Sequence, residues 1–374
     1  MAQRTKTCKS CPTKIERASR TGLCLSCFRE RETTRPIDLP PVPGVAQDRE
    51  KHRAANHLQS LKARYAEALK TIEQQEKELS IVKQLEGGLD TFVIKPTGGS
   101  GDNEGTVVLV ASDWHIEETV GAEVGGLNVF NPVLAHERAE RFFQKGLLLT
   151  RLLQKDIVIN TMILPLLGDF ISNDIHEEFP EVNALQPMHA IVVAQNMIAS
   201  GIEFLLANSK LNIVIPCHSG NHARTTRTTR FGTENGHSLE FLMYRYLAAY
   251  FRSSKRVTFQ IAEGMHSYVQ VYDTTIRFQH GHAIKYGGGV GGIYIPVNKA
   301  IAQWNKARHA DLDVFGHFHQ TRDGGNFLAN GSLIGYNSFA LSIKADYEAP
   351  RQLLFLIDRK RGRTCTWPIM LDGK

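Results

Sequence analysis

Five apolar runs within residues 105–374 each lead into a short polar motif, namely SDWH, GDF, GNH, HGH and GHFH. Helix-like segments lie between these runs, among them NPVLAHERAERFFQKGLLLTRLLQ and a long stretch from Val182 to Asn208. YVQVYDTTIRFQH is typical of a hairpin that turns at Asp273 and Thr274. This alternation of strands and helices predicts a layered α/β domain with two sheets flanked by helices.

The polar motifs hold the side chains that bind metals in proteins. Ligands of open α/β sheets bind beyond the carboxyl ends of the strands, so we expect the five loops to converge in space. Carboxylates together with imidazoles suit manganese, iron or zinc better than magnesium, which prefers oxygen ligands and water. The candidate ligands are Asp113, His115, Asp169, Asn221, His280, His317 and His319, with His222 and His282 beside them.

In this order, the motifs DxH, GD, GNH, HGH and GHxH resemble the calcineurin-like metallophosphoesterase superfamily. The resemblance runs from Thr106 to the end of the chain and leaves out the first hundred residues. It implies a four-layer β-sandwich flanked by helices, with a two-metal site between the sheets. By position in the motifs, Asp113, His115 and His319 would hold one ion, Asn221, His280 and His317 the other, and Asp169 would bridge them.

The resemblance also implies the roles of two further histidines. His222 would face the scissile phosphate and stabilise its charge or protonate the leaving oxygen. In HGH the family pattern favours His280 as the ligand and leaves His282 as a neighbour or a substrate contact. The family often places an acidic residue directly after GNH to orient the histidine, and here Ala223 stands in that position.

A site of this kind hydrolyses phosphate esters. Two ions about 3.5–4 Å apart clamp the attacking and leaving oxygens and lower the pKa of a water, which makes a hydroxide nucleophile. GDFISND and GNHA differ from the GDxxDRG and GNHE of the serine/threonine phosphatase branch. We therefore predict a metal-dependent phosphodiesterase, foremost a DNA nuclease. The alternatives are a small-molecule phosphodiesterase or phosphomonoesterase and a non-catalytic nucleic-acid-binding scaffold.

Two segments near the motifs are candidates for substrate contact. Arg224, Arg227 and Arg230 follow His222 at intervals of three residues and could grip flanking phosphates, or form a solvated basic loop. His176, in NDIHEE, follows the GD motif closely enough to line the cleft, or belongs to a surface loop.

The first 35 residues carry four of the six cysteines, as two CxxC pairs in a segment too short and polar to build a core. Four thiolates bind zinc tetrahedrally and supply the folding free energy, which predicts a zinc ribbon over residues 1–35; a redox or incidental cluster is the alternative. The lysines and arginines of this segment suit a nucleic-acid backbone, although zinc ribbons also bind proteins. The predicted zinc ligands are Cys8, Cys11, Cys24 and Cys27.

Residues 36–104 are predicted to be a proline-rich linker, a helix over about 48–86 and a glycine-rich linker, ahead of the catalytic domain at 105–374. Apolar residues in the helix alternate spacings of three and four over four heptads, which is typical of a coiled coil and of a homodimer. A helix packed on its own catalytic domain is the alternative. The stripe consists of Leu58, Leu61, Tyr65, Ala68, Ile72, Gln75, Leu79 and Val82.

Composition places further bounds on the chain. The formal net charge of +6 at pH 7 permits an anionic partner. The segment MAQRTKTCKSC has no apolar core of a signal peptide, and no uninterrupted apolar run approaches the ~18 residues of a membrane span. Clustered CxxC pairs favour metal binding in a reducing compartment, so we expect a cytoplasmic protein without a membrane partner.

Overall fold

A computed structural model of the 374-residue chain describes residues 6–7, 14–15, 44–85, 92–94, 103–286, 291–342 and 344–373. The chain divides into two compact units, Met1–Leu89 and Asp90–Lys374.

The unit Met1–Leu89 contains a short antiparallel pair, β1 (Lys6–Thr7) and β2 (Lys14–Ile15), and one helix, α1 (Val45–Leu85). The 41-residue helix confirms the helix predicted over about 48–86. The four CxxC cysteines and the side chains of Leu79 and Val82 lie outside the described part, so the zinc ribbon stays a prediction. Six members of the predicted stripe are exposed within the described side chains, namely Leu58, Leu61, Tyr65, Ala68, Ile72 and Gln75.

The unit Asp90–Lys374 is built from two sheets and six helices within the described residues. Its strands are β3 (Phe92–Ile94), β4 (Gly105–Leu109), β5 (Thr161–Ile163), β6 (Asn212–Cys217), β7 (Val257–Ile261), β8 (Ser267–Val271), β9 (Thr274–Phe278), β10 (Leu312–Phe315), β11 (Arg322–Asp323), β12 (Phe327–Ala329), β13 (Arg351–Asp358) and β14 (Gly362–Met370). Its helices are α2 (Pro132–Leu153), α3 (Phe179–Val182), α4 (Pro187–Asn208), α5 (Leu239–Tyr250), α6 (Tyr294–Trp304) and α7 (Ser338–Ser342).

The first sheet has the strand order β14-β13-β4-β5-β6-β7. Strands β4 to β7 run parallel, so their carboxyl ends lie along one edge, while β13 is antiparallel to β4. The second sheet has the order β11-β12-β10-β9-β8-β3, with β9, β10 and β12 parallel. Strand β3 adds an edge strand within the segment predicted to be a linker.

The alternation of side chains along β4 shows how the layers form. Val107 and Leu109 pack into a core with helices α2, α4 and α5, whereas Val108 and Val110 pack into a second core against the other sheet. Both faces of the strand are therefore buried, which explains its continuous apolar sequence. A third core lies between the second sheet and α6. The predicted α/β architecture of two sheets with flanking helices is confirmed.

Two local predictions differ from the structure. The long helix expected from Val182 to Asn208 begins only at Pro187, because Gln186 is extended before that proline, and Val182 is instead the last residue of α3. In the β8–β9 hairpin Val271 pairs with Thr274, so the turn residues are Tyr272 and Asp273 rather than Asp273 and Thr274.

Helix α4 is long and apolar enough to cross a membrane by length and composition. Its side chains at Ala190, Ala194, Ile198 and Ile202 are fully buried in the first core. The apolar character of α4 is therefore accounted for by its place between the first sheet and neighbouring helices.

Candidate metal centre

The predicted ligands come from both sheets and meet at the carboxyl ends of five strands. Loops after β4, β5 and β6 supply the ligands of the first sheet, and loops after β9 and β10 supply those of the second. All seven predicted ligands take part in the contacts described below; they are Asp113, His115, Asp169, Asn221, His280, His317 and His319.

The backbone is turned into the left-handed region at five of these residues. Non-glycine residues adopt a positive φ only rarely, although Asp, Asn and His do so more than most. Such backbone costs of order 1–3 kcal/mol per residue and concentrates at functional sites. The φ angles are 55° at Asp113, 48° at His115, 54° at Asp169, 68° at His317 and 55° at His319.

The first group consists of Asp113, His115 and His319, whose ligand atoms lie within 4.8 Å of one another. The Nε2 atoms of His115 and His319 are 3.1 Å apart, and Nε2 of His319 lies 3.5 Å from Oδ1 of Asp113. Two imidazole nitrogens and a carboxylate oxygen thus face one point, with Asp113 fully buried. A divalent cation suits this donor set.

The second group consists of Asp169, His280 and His317. Nε2 of His280 lies 2.9 Å from Oδ2 of Asp169 and 3.1 Å from Oδ1 of Asn221. Nδ1 of His280 lies 2.6 Å from the carbonyl oxygen of Leu167. Because a carbonyl only accepts, Nδ1 must carry the proton and donate it, which directs Nε2 toward the ligand cluster.

Asp169 lies between the two groups, since it also approaches His115 and His222 within ligand distance. Burial opposes the charge on both partners, yet the carboxylate of Asp169 raises the pKa of His280 to about 10. His280 and His222 in turn hold the pKa of Asp169 well below its usual range against the effect of burial. Its position is that of the predicted bridging ligand.

His222 is oriented without an acidic neighbour in the sequence. Its Nδ1 donates to the carbonyl oxygen of Ser172 at 3.0 Å, and its backbone N–H donates to Oδ1 of Asp169 at 2.8 Å. Nε2 of the ring then faces the metal centre, 3.9 Å from Oδ2 of Asp169. The Ser172 carbonyl therefore performs the orienting role that the sequence pattern assigns to the position of Ala223, which is buried.

Sequence reasoning missed Ser172 and Glu118, which support His115. The Ser172 hydroxyl donates to Glu118 Oε2 at 3.0 Å and lies 2.9 Å from Nδ1 of His115, which directs Nε2 of that ring to the centre. Burial raises the pKa of Glu118 to about 7. The available signal was the pair of glutamates two and three positions after His115 in DWHIEE.

Glu240 on α5 is a second supporting residue that was missed. Its two carboxylate oxygens accept the backbone N–H groups of Phe170 and Gly220, each at 2.7 Å, and so tie the loop after β5 to the loop after β6. Its side chain is fully buried, and burial raises its pKa to about 8. An acid within the apolar helical stretch SLEFLMYRYLAAYF was the signal that could have identified it.

The glycines of the motifs allow the loops to approach closely. A Cβ on Gly168, which has a φ of 86°, would lie 2.2 Å from the backbone nitrogen of Gly220. A Cβ on Gly220 would lie 2.0 Å from Oδ1 of Asp169. Any side chain at these positions would push apart the loops that carry Asp169 and Asn221.

Of the predicted substrate contacts, three arginines lie on the loop that follows His222, His176 lies near the His222 ring, and the side chain of His282 is largely buried. Arg224 is half-buried and donates to the carbonyl oxygens of Asn221 at 2.5 Å and Thr226 at 3.1 Å, so its guanidinium braces its own loop. The exposed His176 has its ring 6.1 Å from that of His222. Arg227 and Arg230 are exposed on the loop that follows His222.

No protein-family model and no curated protein matches the sequence. Among solved structures, the chain is similar to hypothetical protein PH1004 from Pyrococcus horikoshii OT3 at 10% identity and a TM-score of 0.37, covering 72% of this chain and 89% of that one. It is also similar to Vps29 from Chaetomium thermophilum (16%, TM-score 0.26, 52% and 80%) and to the sulfate thiohydrolase SoxB from Thermus thermophilus (11%, TM-score 0.32, 75% and 59%). Similarity of this degree assigns no function. The function proposed below is therefore based on the side-chain geometry.

Proposed function

We propose that this chain is a metal-dependent phosphodiesterase with two ions in its active site. The observation that carries the proposal is the convergence of Asp113, His115 and His319 in one group and of Asp169, His280 and His317 in a second, with Asp169 also close to His115. Buried carboxylates and imidazoles with fixed ring orientation suit manganese, iron or zinc. Asn221 adds a neutral amide oxygen, which keeps the centre cationic enough to attract a phosphate.

Different residues of the site have different roles in the proposed hydrolysis. Two divalent ions, when bound, supply Lewis acidity and lower the pKa of a coordinated water. Since the Ser172 carbonyl fixes the proton on Nδ1 of His222, the imidazolium form of that ring presents an Nε2–H toward the centre. From there it would donate to a phosphoryl oxygen or to the leaving oxygen. Glu118 through Ser172, and Leu167 through its carbonyl, keep His115 and His280 aimed at the ions.

We further propose that the substrate is a nucleic acid, with DNA favoured. Arg227 and Arg230 are exposed on the loop that follows His222, from which guanidinium groups would contact flanking phosphates. The basic N-terminal segment with its four cysteines would bind the backbone as a zinc ribbon.

The test is cleavage of end-labelled single- and double-stranded DNA by the full chain with manganese, beside a bis-aryl phosphate. Asp169→Asn keeps the side-chain volume and removes the bridging charge, so we expect hydrolysis of both substrates to fall more than about 100-fold. Asp174→Asn, an exposed aspartate in the loop that follows, is the matched control and should retain activity.

Each outcome decides between the alternatives. DNA cut by the parent protein but not by Asp169→Asn supports the nuclease. Hydrolysis of the aryl diester with DNA left intact would replace it with a small-molecule phosphoesterase. Metal binding without hydrolysis of either substrate would count against an enzyme and favour a binding protein.

A further inference from the structure

A recess adjoins the metal centre on the side of His280. It lies between the loop after β6, the loop after β7 and the loop after β9, and His280 belongs both to its wall and to the second ligand group. A substituent of a phosphate held at the centre could therefore reach this recess. The residues on which the following steps depend are Glu234, Glu263, Met265 and His282.

His282 is the unexplained side chain of this recess. Its side chain is only 8% exposed, and neither ring nitrogen makes a hydrogen bond within the residues that the structure describes. The carboxylate of Glu234 lies 3.4 Å from Nε2 of His282. A buried polar group without a partner costs about 1–3 kcal/mol, so these nitrogens favour a ligand that brings hydrogen-bonding atoms to them.

Phe231 lies beside the recess and stacks on His282, one of its lining residues. Its ring lies parallel to that of His282, with an interplanar angle of 13° and centroids 5.6 Å apart, while 46% of Phe231 stays exposed. A large exposed aromatic ring stacked on a buried imidazole is a platform for a planar ligand.

The acidic lining of the recess disfavours a second phosphate as its occupant. Glu234 and Glu263 line it, and their carboxylates repel an anion when ionised. The positive charge of Arg224 is close enough to His282 to affect its pKa. The guanidinium of Arg224, however, donates to carbonyl oxygens of its own loop. A neutral, planar group with hydrogen-bond donors and acceptors on its edge fits the aromatic face, the free nitrogens and the acids together.

We propose that the nucleobase next to the scissile phosphate binds at the mouth of this recess, with Phe231 stacking on the base and His282 and Glu234 bonding its edge. The inference deepens the proposed function and rests on it, because the phosphate at the metal centre places the base there. The base could belong to a polynucleotide or to a free nucleotide, and the experiment separates these sources.

The test measures equilibrium binding of three compounds to the manganese-loaded full chain, namely thymidine 5′-monophosphate, deoxyribose 5-phosphate and inorganic phosphate. Because stacking on one aromatic side chain contributes substantially to affinity, we expect the base to tighten binding about tenfold over the sugar phosphate. Phe231→Ala should reduce this advantage to about twofold or less, and Phe231→Trp should keep it. Tyr246→Ala, which removes another exposed aromatic ring, is the control and should leave the advantage unchanged.

Three results would overturn the inference. The nucleotide and the sugar phosphate could bind equally, the tighter binding of the nucleotide could survive Phe231→Ala, or none of the compounds could bind. An oligothymidylate with one abasic position next to the cleaved bond shows whether the base belongs to a polynucleotide. It should bind more weakly than the intact oligothymidylate only if a base of the polymer occupies the recess. DNA and aryl diester hydrolysis are scored separately. A base advantage that depends on Phe231 in a protein without hydrolase activity would uphold the recess and refute the phosphodiesterase.

Discussion

At the scale of single residues, Gly316 explains how two histidines two positions apart reach one centre. His317 and His319 both have a left-handed backbone, and the backbone N–H of His317 donates to both carboxylate oxygens of Asp113 at 2.9 and 3.0 Å. The chain can approach Asp113 so closely because residue 316 has no side chain. A Cβ there would lie 2.2 Å from Oδ2 of Asp113 and 2.5 Å from Oγ of Ser112.

We therefore expect Gly316→Ala to displace Asp113 and to weaken metal binding about 10- to 100-fold, the range typical of damage to groups that support ligands. Overpacking should also lower the free energy of unfolding by about 1–3 kcal/mol. Manganese titration and urea unfolding measure the two effects. In Gly232→Ala the new methyl group meets open space, so both quantities should stay at their parent values. Unchanged manganese affinity in Gly316→Ala would contradict the role given to this glycine.

The candidate ligands could be predicted from the sequence because each belongs to a short motif at the end of an apolar run. The residues that aim them could not, because their partners are distant in sequence. Glu240 reaches Phe170 across 70 positions and Ser172 reaches His115 across 57, and only the packing of α5 and the loops brings them together.

At the scale of elements, β9 and β10 are joined by a buried ion pair. Arg277 donates through Nε and Nη2 to the two oxygens of Asp313, at 2.7 and 2.9 Å, and both side chains are buried. The aromatic rings of Tyr268 and Trp304 lie 5.8 and 5.2 Å from the guanidinium. These strands precede His280 and His317, so the pair fixes the relative position of two candidate ligands.

Asp313→Asn should lower the free energy of unfolding by about 3–5 kcal/mol, because it leaves the guanidinium of Arg277 buried without its counter-charge. Denaturant unfolding provides the measurement. The pair of the half-buried Arg363 and the exposed Asp323 is the comparison, and Asp323→Asn should cost no more than about 1 kcal/mol. Similar losses in both variants would show that burial of the pair is not what matters.

We propose that helix α1 pairs with a second copy through its stripe of apolar side chains, of which Leu61 is 46% exposed and Ile72 is 48% exposed. Four heptads of such residues favour a coiled coil. We expect light scattering of the full chain to give twice the mass of one chain, and Leu61→Lys with Ile72→Lys to give a single-chain mass. Ser60→Lys, on the same helix outside the stripe, should leave the dimer intact. A parent protein with a single-chain mass would exclude the pairing.

The elements were predictable where a pattern was long or strongly apolar, as for α2, β6 and β10. Helix α2 also begins at a clear signal, since Asn131 Oδ1 accepts the N–H groups of Val133 and Leu134 ahead of the helix interior. Strand β3 was missed because three residues between polar segments become a strand only by pairing with β8. The break before Pro187 was missed because apolar residues continue on both sides of it.

At the scale of the whole molecule, the proposed division of labour assigns substrate binding to the N-terminal segment and hydrolysis to the unit Asp90–Lys374. Cys8→Ser with Cys11→Ser should remove one zinc per chain and weaken DNA binding, with a smaller dependence of affinity on salt, because fewer phosphates are neutralised. Hydrolysis of the bis-aryl phosphate should remain. Zinc analysis and binding across a salt series test this. Unaltered DNA affinity after loss of the zinc would refute the assignment.

The seven candidate ligands come from both sheets: Asp113, His115, Asp169 and Asn221 follow strands of one, and His280, His317 and His319 follow strands of the other. Ions bound there would link the two sheets. They would stabilise the folded chain in proportion to the logarithm of their free concentration. At 100 times the dissociation constant, one such ion contributes about 2.7 kcal/mol. The melting temperature of the protein would then depend on the free concentration of the metal. A low metal concentration would reduce the amount of folded protein as well as its activity.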